Sequence, residues 1–263
     1  MEQKIMQDLL SELDGYVLIL TLNRTNKHNA FDDKVLHALQ EQLDMAEKNS
    51  AIRVIMLRAN GRHFSAGADL NWMQRMANFT EAENIADAKV LARVMASLHH
   101  STKPTIAAVQ GAAFGGGAGL VAACDIAIAA DTARFCFSEV KLGLIPAVIS
   151  PYVVRAVGER VATWLFMSAE SMDAKCALNL GLIHHCVPEE ELPSHAHLYA
   201  RQLAALPPGA VSASKNLVRQ VATHSINKKL EDLTAGLIAK QRVSAEGQKG
   251  LQAFLNKETV TWD

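Results

Sequence analysis

Aromatic residues are scarce in this chain, at 5% of 263 residues. That excludes a core built on large rings. With alanine and glycine abundant, the interior has to rely on close backbone packing. An excess of charge of one sign is also missing. The formal net charge is −1, which removes the basic field that nucleic acid or an anionic membrane surface calls for. Any phosphate must then be held by local cations. No apolar run reaches the length of a membrane span, and the charged start Met1-Glu-Gln-Lys-Ile5 has no secretory hydrophobic core. Cys124, Cys136, Cys176 and Cys186 show no Cys-x-x-Cys spacing and read as reduced, mostly buried thiols. A Gly-x-Ser-x-Gly elbow, a P-loop and a dinucleotide fingerprint are all lacking. The histidines form no metal site: His99-His100 sits at a helix end, His184-His185 beside a short strand, and His195 and His197 on different faces of a helix. The expectation is a soluble cytoplasmic protein with no nucleic-acid, membrane or metal partner.

A hydrophobic fraction of 49% is present, enough for one large domain or a core with an appendage. Tyr16 to Leu22 alternates like a strand. Val35, Leu36, Leu39, Leu43 and Ala46 form a helical stripe after Asp32, a plausible cap. Arg53 to Arg58, Thr105 to Val109 and Ile126 to Ala129 read as strands. Glu81 to His100 reads as a long helix with Ile85, Ala88, Leu91, Ala92, Met95 and Leu98 on one face. Strand–helix alternation predicts an α/β core with largely parallel strands. Beyond Pro188 the pattern is helical, and Pro207-Pro208-Gly209 marks a joint.

Two segments carry the chemistry. Thr105 to Val109 leads through Gly115-Gly116-Gly117 into a small-residue helix. Such a turn lets backbone approach a ligand closely and points free N–H groups at it. It suits a phosphate or a developing oxyanion, and equally a tight turn with close helix–strand packing. A second strand end, Ser65-Ala-Gly-Ala68, is built alike, so two sets of bare amides could converge on one carbonyl oxygen. Glu139, in the mostly apolar stretch Arg134 to Pro146, is the carboxylate to seek beside them. Apolar surroundings raise a carboxyl pKa and suit a general acid or base; an ion pair with Lys141 or Arg134 is the other reading.

In combination and in order, Ser65-Ala-Gly-Ala-Asp-Leu70, Lys103-Pro through Gly117, Cys124-Asp125 and Ser138-Glu-Val-Lys-Leu-Gly-Leu-Ile-Pro146 resemble the crotonase (enoyl-CoA hydratase/isomerase) superfamily from about residue 15 to 257. The resemblance implies a spiral of ββα units over residues 1–206 and a C-terminal helical trimerisation region over 207–263, in trimers or dimers of trimers. It implies an acyl-CoA thioester substrate held by the Ala68 and Gly116 amides, with coenzyme A as part of the substrate and no further cofactor. By the same resemblance Lys27 lies near the CoA phosphates, although it could simply be solvated. The resemblance also implies that the backbone around Ala30, Ala66 and Asp69 lies near adenine and pantetheine, and that Phe254 and Lys257 belong to a segment that reaches a neighbour's CoA.

The wording around Gly115 and Leu144-Ile-Pro-Ala-Val-Ile-Ser150 looks like the methylglutaconyl-CoA or carboxygeranoyl-CoA hydratase subgroup. One departure matters. Two-carboxylate hydratases of the family carry a glutamate two residues after the triple glycine, and this chain has Gly119. Hydration of a 2-enoyl-CoA, a lyase reaction with Glu139 as acid and base, is the first expectation. Migration of a Δ3 double bond to Δ2 needs only one base and is the alternative within enzymes. A non-catalytic acyl-CoA-binding protein is the alternative of another class.

Overall fold

The computed structural model describes residues 8–262; the charged start at Met1–Ile5 lies outside them. Strand β1 (Leu9–Asp14) turns at Gly15, whose φ is +56°, and pairs antiparallel with β2 (Val17–Leu22). The sheet then continues in parallel through β3 (Val54–Ala59), β4 (Thr105–Val109), β6 (Ile126–Ala130) and β9 (His185–Val187). Side chains alternate between its faces. Leu18, Leu20, Ile55, Leu57, Ala107 and Val109 join one core cluster with α1 (Asp33–Lys48) and α3 (Glu81–His100). Val17, Ile19, Val54, Met56, Ile106 and Ala108 join another with Leu192, Ala196, Ala200 and Ala204 of α8 (Leu192–Ala204). Helices on both faces explain why these strands read as continuous apolar runs. The expected caps form: Asp32 accepts from the amides of Lys34 and Val35, and Thr80 and Glu83 form a capping box at the start of α3.

A smaller sheet holds β5 (Ala112–Phe114), β7 (Arg134–Cys136) and β8 (Met172–Asp173). The chain alternates between the two sheets. β4 lies in the large sheet, β5 in the small one, and α4 (Gly116–Ala123) follows. β6 and β7 repeat the pattern before a 3-10 turn (Glu139–Leu142) and α5 (Ser150–Val157). β3 starts an abbreviated version, in which Ser65 alone bridges Ala113 before α2 (Leu70–Met76). This is the ββα spiral. Its second-strand ends place Ala68, Gly116 and Glu139 at equivalent points of three successive turns.

The remaining helices are α6 (Glu159–Ser168), α7 (Ala174–Asn179), α9 (Pro208–Val221), α10 (Lys228–Val243) and α11 (Ala245–Asn256). Helices α9 and α10 bury no residue fully, and Val218, Ile238, Val243, Leu251, Phe254 and Leu255 are exposed. The stripe expected on α3 is fully buried only in its second half, at Met95 and Leu98, with Val94 beside them, while Ile85 and Ala88 are exposed. No helix among the described residues is long and apolar enough to cross a membrane. The four cysteines are unpaired; Cys136 is buried and the others half-buried.

Candidate active site

The Ser65 and Gly115 segments are laced together. The Ser65 amide donates to Ala112 O at 2.9 Å and the Phe114 amide to Ser65 O at 3.0 Å. A Cβ on Gly117 would fall 2.8 Å from Ser65 O, so only glycine permits this approach. Gly67, at φ +97°, passes 3.1 Å from Phe114 O at its own Cβ position and sends its carbonyl to the Phe31 amide. The Asp69 amide returns to Phe31 O. Between them, the Ala68 N–H donates to no acceptor among the described residues. Gly116 is the first residue of α4, so its N–H has no partner within the helix. Gly115 holds the entry at φ +50°, ψ −123°, and its own amide is fixed on Cys136 O at 2.8 Å. The two amides thus stand at the ends of two segments that are hydrogen-bonded to each other, the kind of arrangement an oxyanion site calls for.

Glu139 opens the 3-10 turn beside them. Its Oε1 lies 3.3 Å from where a Cβ on Gly115 would be. Its Oε2 is buried with no partner among the described residues. Neither cation offered by the sequence pairs with it: Lys141 is exposed, and Arg134 donates to Ala133 O. Burial pushes the Glu139 carboxyl above the usual carboxylate range, against a smaller lowering by a backbone hydrogen bond. This is the environment of a proton carrier rather than of an ion pair.

The residues expected at the CoA portion are partly engaged with each other. Lys27 Nζ sits 2.6 Å from Asp69 Oδ2, and Arg24 Nη2 lies 3.1 Å from the same oxygen. The Ala30 carbonyl accepts from Arg24 Nη1 at 2.8 Å, while Ala66 is exposed. Asn29 ties this loop to the next, giving Nδ2 to Asn60 O and His63 O. Its φ is +54°, a left-handed conformation that asparagine tolerates better than most residues. Phe254 lies on α11 and Lys257 at its C-terminal cap, and Phe254 is 80% exposed. Tyr152 lines a separate cavity of about 540 Å³ with His99, Asp125, Arg155, Lys215 and Arg219. No three His, Cys, Asp or Glu side chains among the described residues converge to hold a metal.

The model of the enoyl-CoA hydratase/isomerase family matches residues 12–263. The chain belongs to that family. A Legionella pneumophila protein, whose crystal structure is described as an enoyl-CoA hydratase/isomerase (crotonase), is 60% identical, with a TM-score of 0.93 and 97% and 98% of the two chains covered. The Escherichia coli 2,3-dehydroadipyl-CoA hydratase is 33% identical over 97% of this chain and 98% of its own. The Escherichia coli 1,2-epoxyphenylacetyl-CoA isomerase is 33% identical over the same shares. Family membership makes an acyl-CoA thioester the fitting substrate. The relatives divide between hydratases and isomerases, so the chemistry has to be read from the site.

Proposed function

We propose that this protein adds water reversibly to a 2-enoyl-CoA, with Glu139 as the only side chain that moves protons. The observation that carries the reading is the buried, unpartnered Oε2 of Glu139 beside the Gly115–Gly116 turn. The thioester oxygen would sit on the Ala68 and Gly116 amides. Glu139 as carboxylate takes a proton from water while the water oxygen bonds to C3. The electrons of the C2=C3 bond move to the thioester oxygen, and the two amides stabilise the enolate. The protonated Glu139 then gives its proton to C2, and the carboxylate is regenerated. Both transfers come from one face, so addition is syn. The raised Glu139 pKa favours the first step, because it makes the carboxylate a stronger proton acceptor. Sequence resemblance points to a branched substrate such as 3-methylglutaconyl-CoA.

In the same proposal Lys27, Ala30, Ala66 and Asp69 border the CoA portion, with Phe254 and Lys257 supplied by a neighbouring copy. The exposed apolar residues of α9–α11 support a trimer in which that neighbour covers them.

A second reading has its own observation. Gly119 gives the site no second carboxylate to hold water, which suits migration of a Δ3 double bond to Δ2 by Glu139 alone. Purified protein assayed with crotonyl-CoA, 3-methylglutaconyl-CoA and a 3-enoyl-CoA separates the two. Hydration that disappears in Glu139→Gln supports the proposal. Migration without hydration replaces it with the isomerase. Binding without either reaction identifies an acyl-CoA-binding protein.

A further inference from the structure

Position 119 has no room for a side chain. A Cβ there would fall 2.2 Å from Ile149 Cγ2 and 2.8 Å from Ile149 Cβ, with Met95 Cε at 3.1 Å. Met95 offers the flexible end of its chain and can retreat. Ile149 offers its branch point, next to its own backbone. That backbone is pinned, since Ile149 stands at the N-cap of α5 and its carbonyl accepts from the amides of Tyr152 and Val153. Ile149 is only 2% exposed, so it has nowhere to rotate without leaving a void.

The contact lies beside the chemistry. The Gly119 amide donates to Gly115 O at 3.0 Å, so these residues stand one turn apart on one face of α4. Gly115 meets Glu139 Oε1 on that face and Gly119 meets Ile149. The segment from Glu139 to Ile149 therefore runs along the helix. It places the carboxylate at the first turn and hydrocarbon at the second.

We propose that Ile149 is a specificity-determining residue. Its side chain occupies the room that any residue at 119 would need, and thereby restricts the site to one carboxylate. The chemical half of this rests on the assignment of Glu139 above; the steric half does not. A proton accepted by Glu139 then has to be returned by Glu139, because α4 offers no second acid and no side chain to hold a water.

A stability cycle tests the steric half. Gly119→Ala in the native background should lower Tm by about 5 °C, as overpacking does in a chain of this size. In an Ile149→Ala background the same change should cost less than about 1 °C. Additive losses would overturn the proposal. The chemical half is tested by Gly119→Glu with Ile149→Gly, compared with Ile149→Gly alone. The double variant should melt cooperatively and raise the ratio of hydration to double-bond migration by roughly 10-fold or more. Its kcat/KM profile against pH should gain a second ionisation. A double variant that does not fold overturns the claim that Ile149 is what excludes the side chain. One that folds but keeps the ratio and pH profile of Ile149→Gly overturns the chemical half. Turnover surviving in Glu139→Gln would instead remove the Glu139 assignment and leave the melting cycle untouched.

Discussion

Asp69 Oδ2 accepts from Lys27 Nζ at 2.6 Å while Asp69 Oδ1 caps α2 through the amides of Asn71 and Trp72. Two residues expected to meet the substrate therefore hold one another, and Arg24 joins them. Burial pushes the Asp69 carboxyl up, but the bonds from Lys27, Asn71 and Trp72 outweigh it and hold the group below the usual carboxylate range. The sign follows from a depressed folded pKa. The stabilisation is present above the unfolded value and is lost as pH falls through the lower folded one. Asp69→Ala leaves Arg24 buried without this partner and removes a cap, and should cost about 3 kcal/mol in denaturant melts at neutral pH. An unchanged melt would show that the pair and the cap add nothing net to stability.

Glu139 presents the opposite case. Its carboxyl is raised by burial, so the charged form is the strained one, and stability falls as pH climbs through the folded pKa. Glu139→Gln removes that charge and should melt at the same temperature as the native protein or above it. Turnover should fall by about 10²–10⁴-fold. Activity lost together with a lowered melt would mean that the carboxylate is structural.

Gly115 tests the amide site without touching an acid. Its φ of +50° with ψ of −123° is closed to residues with a Cβ, and that Cβ would also lie 3.3 Å from Glu139 Oε1. Gly115→Ala should turn the following Gly116 N–H away from the thioester oxygen. Loss of one such donor lowers kcat by about 10²–10³-fold, with KM changed far less. A rise in KM at constant kcat would show that the turn merely binds.

Much of the site was legible because its signals are local. Gly115-Gly116-Gly117 and Ser65 to Ala68 declare bare backbone, and Glu139 stands alone among apolar neighbours. The long elements were legible too, since α1 and β4 are set by periodicity over whole segments. The small sheet was not: β7 and β8 span three and two residues, too short for any period. Strand β1 was missed because it is an edge strand with mixed burial along Ser11-Glu12-Leu13. The role of Ile149 was hidden for another reason. It depends on a contact between positions thirty residues apart, which only the packed fold creates. Likewise the resemblance set Lys27 and the backbone around Asp69 near CoA, and the pairing of their side chains across the fold appears only in the structure.

His99 supplies a separate acid-side signature. It lies beside the cavity at the start of β4 and β6, 5.4 Å from the Tyr152 ring and 4.9 Å from His100. Burial, then Arg219, His100 and Arg155, push its pKa down to about 4, with Asp125 opposing. The folded protein therefore keeps His99 neutral while the unfolded chain protonates it near pH ~6.5. Between those values the unfolded state binds more protons, so stability is full above the upper one and drains away as pH falls toward the lower. His99→Gln, which cannot take up that proton, should flatten this part of the curve. The check is the difference in unfolding free energy between native protein and variant, measured in urea at several pH values from 7 to 4. That difference should shrink or reverse in favour of the variant as pH falls. Parallel curves would show that His99 takes up its proton at the same pH in the folded and the unfolded chain.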